Sequence, residues 1–165
     1  MFTGDRTSPA ALFRRAVAWL RGPKRRQAAA LCWRPATDGV EVLLVTTKRT
    51  RRWTPPKGGV MKGEDAADAA VREAWEEAGV VGEAAPDAIG AYDYLKLLKD
   101  GRRWERRTVD VFAVKVGEMA EDYPEEGQRS HCWVAPADAG GMVHERMLRQ
   151  IVGSFSPARD ASSPD

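Results

Sequence analysis

Residues 58–80 read GGVMKGEDAADAAVREAWEEAGV, and this stretch decides the rest. Glycines crowd its start, Gly79 closes it, and the residues between carry a helical period. Ala67, Ala70, Val71, Ala74, Trp75 and Ala78 fall on one stripe, so a helix over 65–78 is expected to dock on a sheet. Glu73, Glu76 and Glu77 stand at relative positions 0, 3 and 4, which places all three in one sector about 100° wide. In this reading they project outward. Carboxylates so close repel one another unless a counterion intervenes, and hard cations with oxygen ligands, Mg²⁺ or Mn²⁺, are the usual remedy. Gly58, Gly59 and Gly63 precede the helix in a loop whose backbone can approach a phosphate or offer a carbonyl to a cation. Arg72 stands four residues before Glu76 and within reach of Glu64, so it is expected to brace the acidic cluster.

Outward from this segment the charge is segregated. Residues 1–57 hold 13 basic and 3 acidic residues, residues 58–95 hold 2 and 9, and residues 96–165 hold 11 and 12. A basic stretch leading into an acidic one suits a site that takes both a polyanion and cationic metals. Lys24, Arg25, Arg26, Lys48, Arg49, Arg51 and Arg52 precede the helix. Lys96, Lys99, Arg102, Arg103, Arg106 and Arg107 flank a second bend at Gly101. Arginine suits bidentate phosphate contacts and lysine point-charge neutralisation.

The apolar runs Gln27–Trp33 and Val40–Thr47 predict two strands joined by a turn, the second dense enough to be central. Ile89–Leu98 and Arg106–Val116 predict two more, His131–Val134 a short last one, and Met142–Val152 a closing helix. Ser8 and Pro9 open a further helix whose positions Leu12, Phe13, Ala16, Val17 and Leu20 recur at helical spacing until Gly22. Its apolar side is expected to pack on the domain or a partner, with membrane-surface binding as the alternative. The sum is a mixed sheet with helices packed on it, divided as 1–22 opening helix, 23–155 main domain and 156–165 disordered tail. Trp33, Trp75 and Trp133 read as core, and Trp53 as a packing residue rather than a base-stacking platform. Cys32 and Cys132 read as small buried hydrophobes in a reduced, cytoplasmic setting. His131 and His144 lack partners at metal-ligand spacing. No run approaches the roughly 20 apolar residues of a membrane span, and no membrane partner is expected.

Gly58, Glu64, Arg72, Glu73, Glu76, Glu77 and Gly79 match the defining positions of the Nudix box: Gly, five residues, Glu, seven residues, Arg-Glu, an aliphatic, any residue, Glu-Glu, any residue, Gly and an aliphatic. By that match the chain is identified as a member of the Nudix hydrolases. The resemblance implies an α/β fold, an alpha/beta/alpha sandwich with a mixed sheet, and metal-dependent hydrolysis of a pyrophosphate linkage. It implies Glu73, Glu76 and Glu77 as ligands of Mg²⁺ or Mn²⁺, joined by the backbone carbonyl of Lys57. Glu77 is then the residue that deprotonates or orients water, with Glu64 and Arg72 in support.

Over roughly 24–135 the chain also resembles the diphosphoinositol polyphosphate phosphohydrolases, which cleave diadenosine polyphosphates as well. The strings are KRRQAAALCWR, VEVLLVTTKRTRRWTPPKGG, AGVVG, RTVDVF and EDYPEEGQRSHCWV. It departs from them at Lys57, where a glycine would extend the loop, and at Gln27. The resemblance implies a small polyphosphate as substrate, and the loop glycines Gly58 and Gly59 with the basic residues Arg25, Arg26, Arg49, Arg51, Arg52 and Arg107 are expected to hold it. ADP-ribose, nucleoside-diphosphate sugars and RNA 5′ ends are alternative substrates, RNA the less favoured because no aromatic-basic platform is present. A nucleotide-binding module without catalysis is the different-class alternative.

Overall fold

In the computed structural model, which describes residues 8–21 and 25–157, the central strand pair is buried on both sides. β1 (Arg25–Ala36) sends Ala28, Ala30 and Cys32 to one face and Ala29, Leu31 and Trp33 to the other. β2 (Gly39–Thr46) does the same with Leu43 and Val45 against Val42 and Leu44. Their continuous apolar runs follow from this double burial, since neither face leaves polar positions to alternate with. Gly39, at φ 132°, turns the chain between them.

Two short strands follow where the sequence suggested only loop. β3 (Trp53–Thr54) pairs with β2, and β4 (Lys57–Gly59) pairs antiparallel with β1. Pro55 and Pro56 carry the chain between the two, and the Pro56 carbonyl accepts from the Ala30 amide at 2.9 Å. Next come α2 (Ala66–Ala78) and the edge strand β5 (Val80–Ala84), which the sequence reading missed. β6 (Gly90–Leu97) and β7 (Trp104–Met119) form a long hairpin about Gly101, at φ 67°. β8 (His131–Val134) has the expected bounds and joins β2.

The strands make one eight-stranded sheet of path β3-β2-β1-β7-β5, with β4, β6 and β8 paired to β1, β7 and β2. The β1–β7 pairing is parallel and the rest antiparallel, so the sheet is mixed, as expected. α2 covers one face over Ala28, Ala30, Val45 and Val114. The other face is covered by α3 (Pro136–Met142) and α4 (Arg146–Gly153) over Leu31, Leu44 and Val111. The closing helix expected over 142–152 starts later, at Arg146, and α3 precedes it as a further helix that the sequence reading did not anticipate. Val143 between them is extended at φ −80°, ψ 156° and buried, and Gly140 lets α3 approach α4, where a Cβ would stand 2.9 Å from the Gly153 Cα.

α1 (Pro9–Arg21) forms where Ser8 and Pro9 predict a helix. Leu12, Phe13 and Val17 are exposed, at 51%, 70% and 38% of their surface, and Ala11 is buried. The helix stop at Gly22 and the tail 158–165 lie outside the described residues.

α2 ends on Gly79, at φ 69°, whose amide bonds back to Ala74 and Trp75 while its carbonyl accepts from Ala120. A Cβ there would meet Tyr123 Cδ1 at 2.6 Å and the Ala120 carbonyl at 2.9 Å. Gly79→Ala adds left-handed strain to that backbone clash and is expected to cost about 1–3 kcal/mol of stability, read as a lowered urea midpoint.

Candidate active site

α2 starts at Asp65, whose side chain accepts from the Ala67 amide at 2.8 Å and caps the helix. Its sheet-facing side is nearly all alanine: Ala67, Ala69, Ala70, Ala74 and Ala78 are buried. Small side chains bring the helix close to the sheet, and the acids are drawn in with it. Glu73 and Glu77 are 8% and 7% exposed, while Trp75 is 41% exposed. Both findings reverse the sequence reading, which put the acids outside and Trp75 in the core. Trp33 and Trp133 are half-buried against the two core clusters.

The burial of Glu73 depends on Gly58. A Cβ at that position would stand 2.0 Å from Glu73 Oε1 and 2.4 Å from Oε2, so only a glycine leaves room for the carboxylate against the β4 backbone.

Arg72 gathers the box. Its Nε and Nη2 donate to the two oxygens of Glu64 at 2.8 and 3.1 Å, Nη1 to Glu73 Oε1 at 2.6 Å and Glu76 Oε1 at 3.4 Å, and Nη2 also to the Gly59 carbonyl at 2.9 Å. Glu64 in turn accepts from the Met61 amide at 2.8 Å. One planar guanidinium thus ties loop, strand and helix together.

Glu77 has a different partner. Arg129 Nη2 donates to its Oε1 at 2.7 Å and the Lys57 amide to its Oε2 at 3.2 Å. Arg129 also donates to Glu125 Oε2 at 2.6 Å and to the Thr46 carbonyl at 2.9 Å, and Glu125 pairs with Lys48 at 2.5 Å. Arg129 and Glu125 are the participants sequence reasoning missed. Both lie in the string EDYPEEGQRSHCWV, but nothing local in it indicates contact with a helix 52 residues away.

Burial pushes the Glu77 carboxyl up to about 7, against the pull of Arg129 and Lys57. It also raises Glu73, with Arg72 opposing. The hydrogen bonds from Arg72 hold Glu64 below the usual carboxylate range. These acids are hard oxygen donors, of the kind Mg²⁺ or Mn²⁺ takes, and the Gly58 recess keeps Glu73 against the backbone. By donor type they fit such a cation. Among the described residues no three acidic, histidine or cysteine side chains are gathered as a ready-made metal group. Arg72 and Arg129 hold the carboxylates instead.

The expected substrate residues divide between the two faces of the sheet. Arg25 and Arg26 alternate on β1: Arg26 pairs with Asp110 at 2.5 Å on the face carrying α2, and Arg25 pairs with Glu105 at 2.8 Å on the other. That second face carries Arg107, opposite Tyr94 in the β6–β7 register, together with Lys57, whose Nζ lies 5.3 Å from the Tyr94 ring. Tyr94 donates to Gln27 at 2.7 Å. Arg107 shares Glu105 with Arg25, at 2.6 Å, and its buried Nε has no hydrogen-bond partner among the described residues. Arg49 and Arg52 are exposed. Arg51, at φ 54°, donates to the Gln128 carbonyl and to Ser130 Oγ, so it braces the loop that carries Arg129. Gly59 is exposed and Gly58 half-buried, and Lys24 lies outside the described residues.

The NUDIX domain family profile matches residues 23–154. The chain belongs to the Nudix hydrolase family. That membership makes it a hydrolase of phosphorus-containing anhydrides. Nudix hydrolase 4 of Arabidopsis thaliana is 30% identical over 123 residues, covering 72% of this chain, which spans only 55% of that relative's length. Human diphosphoinositol polyphosphate phosphohydrolase 3-beta is 32% identical over 154 residues, covering 86% of this chain and 88% of its own. Among solved structures, a C. elegans Ap4A hydrolase complex superposes with a TM-score of 0.57 at 21% identity, over 78% of this Nudix chain and 92% of its own, a likeness of fold. No helix among the described residues is long and apolar enough to cross a membrane.

Arg129→Ala strands Glu77 as a buried charge and is expected to cost about 3 kcal/mol or more in urea unfolding. In a Glu77→Gln background the same change is expected to cost less by about 1–3 kcal/mol, because an amide needs no counter-cation. Equal costs in the two backgrounds would show that the pair is not coupled.

Proposed function

We propose that this Nudix hydrolase is a divalent-cation-dependent pyrophosphohydrolase of small polyphosphates, with diphosphoinositol polyphosphates or diadenosine polyphosphates as substrate. The observation that carries this reading is the meeting, along β4, of a carboxylate set, buried at Glu73 and Glu77, with a cationic sheet face. On one side stand Glu73, Glu76 and Glu77. On the other stand Lys57, Arg25 and Arg107, with Lys96 and Arg49 close enough to act on one another electrostatically. Glu105, shared by two arginines, and Glu145, which acts on Lys57, leave that face with cations in excess. The unpartnered Nε of Arg107 is a donor suited to an anion. The name of the human relative points to the same substrate class.

A pyrophosphate repels nucleophiles until its charge is neutralised, and bound Mg²⁺ or Mn²⁺ supplies that neutralisation and acidifies a coordinated water. Glu73, Glu76 and Glu77 would hold the cation, exchanging their arginine contacts for it, and the Lys57 backbone lies beside Glu77 to complete the set. Glu77 Oε2, fixed by the Lys57 amide, is positioned to take or orient a proton of the attacking water. The cationic face would bind and orient the phosphates beyond the scissile bond, so that reactive geometry is set before chemistry begins. The buried Cys32 thiol and the free Cys132 are consistent with a reduced, cytoplasmic setting.

Mn²⁺ binding to the folded protein is expected to raise its melting temperature in proportion to the logarithm of metal concentration, and Glu73→Gln and Glu76→Gln to abolish that rise. Glu77→Gln is expected to remove nearly all phosphate release with Mg²⁺ while circular dichroism stays unchanged. No release by the wild type from any of diphosphoinositol phosphates, diadenosine polyphosphates, ADP-ribose and capped RNA would favour a non-catalytic binding module.

For selectivity the useful variants are Arg49→Ala with Arg52→Ala, since Arg51 also braces a loop. Each charge-assisted phosphate contact is worth about 1.5–3 kcal/mol. The pair is expected to lower kcat/KM for a diphosphoinositol phosphate or diadenosine hexaphosphate at least tenfold more than for ADP-ribose. An equal loss on all three points to a general nucleoside-diphosphate hydrolase.

A further inference from the structure

α1 is attached to the domain in an unusual way. Arg106 donates to the Trp19 carbonyl at 3.1 Å, and its guanidinium lies 4.4 Å from the centre of the Trp19 ring. Arg15 lies 5.2 Å from the centre of the Trp104 ring. These cation–π contacts, with buried Ala11, occupy the inward side of the helix. Phe13 and Val17 lie on the opposite side and Leu12 and Ala16 on the flank beside Trp19, and all four are exposed among the described residues. An amphipathic helix that gains its hold from arginines and turns its phenylalanine and leucine to solvent leaves its hydrophobic face for something outside the domain.

Charge selects what that is. The 13 residues of α1 contain three arginines, Arg14, Arg15 and Arg21, and no acid. Arg14 is exposed directly beside Phe13. Trp104, on which Arg15 rests, follows exposed Arg102 and Arg103 at the tip of the β6–β7 hairpin, where Lys99 also stands exposed. A second copy of the chain would bring this acid-free helix against its like, arginine to arginine. A surface of anionic lipid offers both an apolar boundary for Leu12, Phe13, Ala16 and Val17 and phosphates for the flanking cations.

We propose that α1 docks the protein reversibly on an anionic membrane surface, with its apolar face in the headgroup boundary and Arg14 and the hairpin tip against lipid phosphates. The sequence alone favours packing on the domain or a partner over membrane contact. With the apolar stripe exposed, that order is reversed. The docking is independent of the substrate reading, since the helix shares no residue with the carboxylate set.

The test is co-sedimentation of the full chain with vesicles of phosphatidylcholine alone and of phosphatidylcholine with phosphatidylglycerol, at low and high salt. Variants are Leu12→Ser with Phe13→Ser, and Arg14→Glu, each checked for unchanged circular dichroism and phosphate release. The expected result is partitioning onto phosphatidylglycerol vesicles that falls at least tenfold in the double variant, weakens in Arg14→Glu and weakens with salt. Four outcomes overturn the proposal: no partitioning, equal partitioning onto neutral vesicles, partitioning indifferent to Leu12 and Phe13, or a concentration-dependent dimer that the double variant abolishes. The last would assign the face to a second copy.

Discussion

The structure turns on the placement of two glutamates where glutamates are costly. Glu73 and Glu77 lie on the sheet side of an alanine-lined helix, and desolvation raises both carboxyls. Nothing in the packing of α2 requires acids there, and a helix with leucines at those positions would bury more apolar surface. What keeps the acids tolerable is a pair of arginines from different sources. Arg72 comes from the helix itself and Arg129 from a loop far along the chain. Buried ion pairs add little net stability, but removing either partner is expensive, so the arrangement is locked once assembled. The Gly58 recess, the αL cap at Gly79 and the loop 121–130 each serve to close this arrangement.

The family and the sheet were legible in the sequence because both rest on local pattern. Glu64, Arg72 and the three helix acids stand at fixed spacings, β1, β2 and β7 carry strand-length apolar patterns, and β2 is dense enough to read as central. The helix end at Gly79 and β8 at His131–Val134 are set by turn chemistry a few residues long. What failed to show depended on tertiary geometry. The apolar stripe of α2 was read by residue type, which put Trp75 inside. The helix in fact rotates so that alanines and two acids face the sheet, because only small side chains permit the close approach that the Gly58 recess demands. β3, β4 and β5 have two, three and five residues, too short for periodicity to register. α3 and α4 pack through a close approach at Gly140 and Gly153 that no local signal announces.

The cationic groups were correctly read as abundant, but the pleat of β1 separates what sequence adjacency joined. Arg25 and Arg26 lie on opposite faces, and only Arg25 shares a face with Arg107 and Lys57. Lys57, noted in the sequence as a departure from a glycine, supplies its amide to Glu77 and its ammonium to the face that would receive phosphates. One residue therefore stands on both sides of the site.

The two arginines also give the site two histories. The contacts of Arg72 with Glu64 and Glu73 close loops of eight residues or fewer, and they form as soon as α2 and its preceding turn do. The contact of Arg129 with Glu77 spans 52 residues and waits on β7, β8 and the intervening loop. Docking α2 before that segment arrives would desolvate Glu77 without its arginine, and that cost opposes early docking. The same order runs in reverse in the native state. A local excursion of residues 121–130 would take Arg129, Glu125 and the brace to Lys48 away together, and the helix end carrying Glu77 would loosen while the Arg72 half stayed in place.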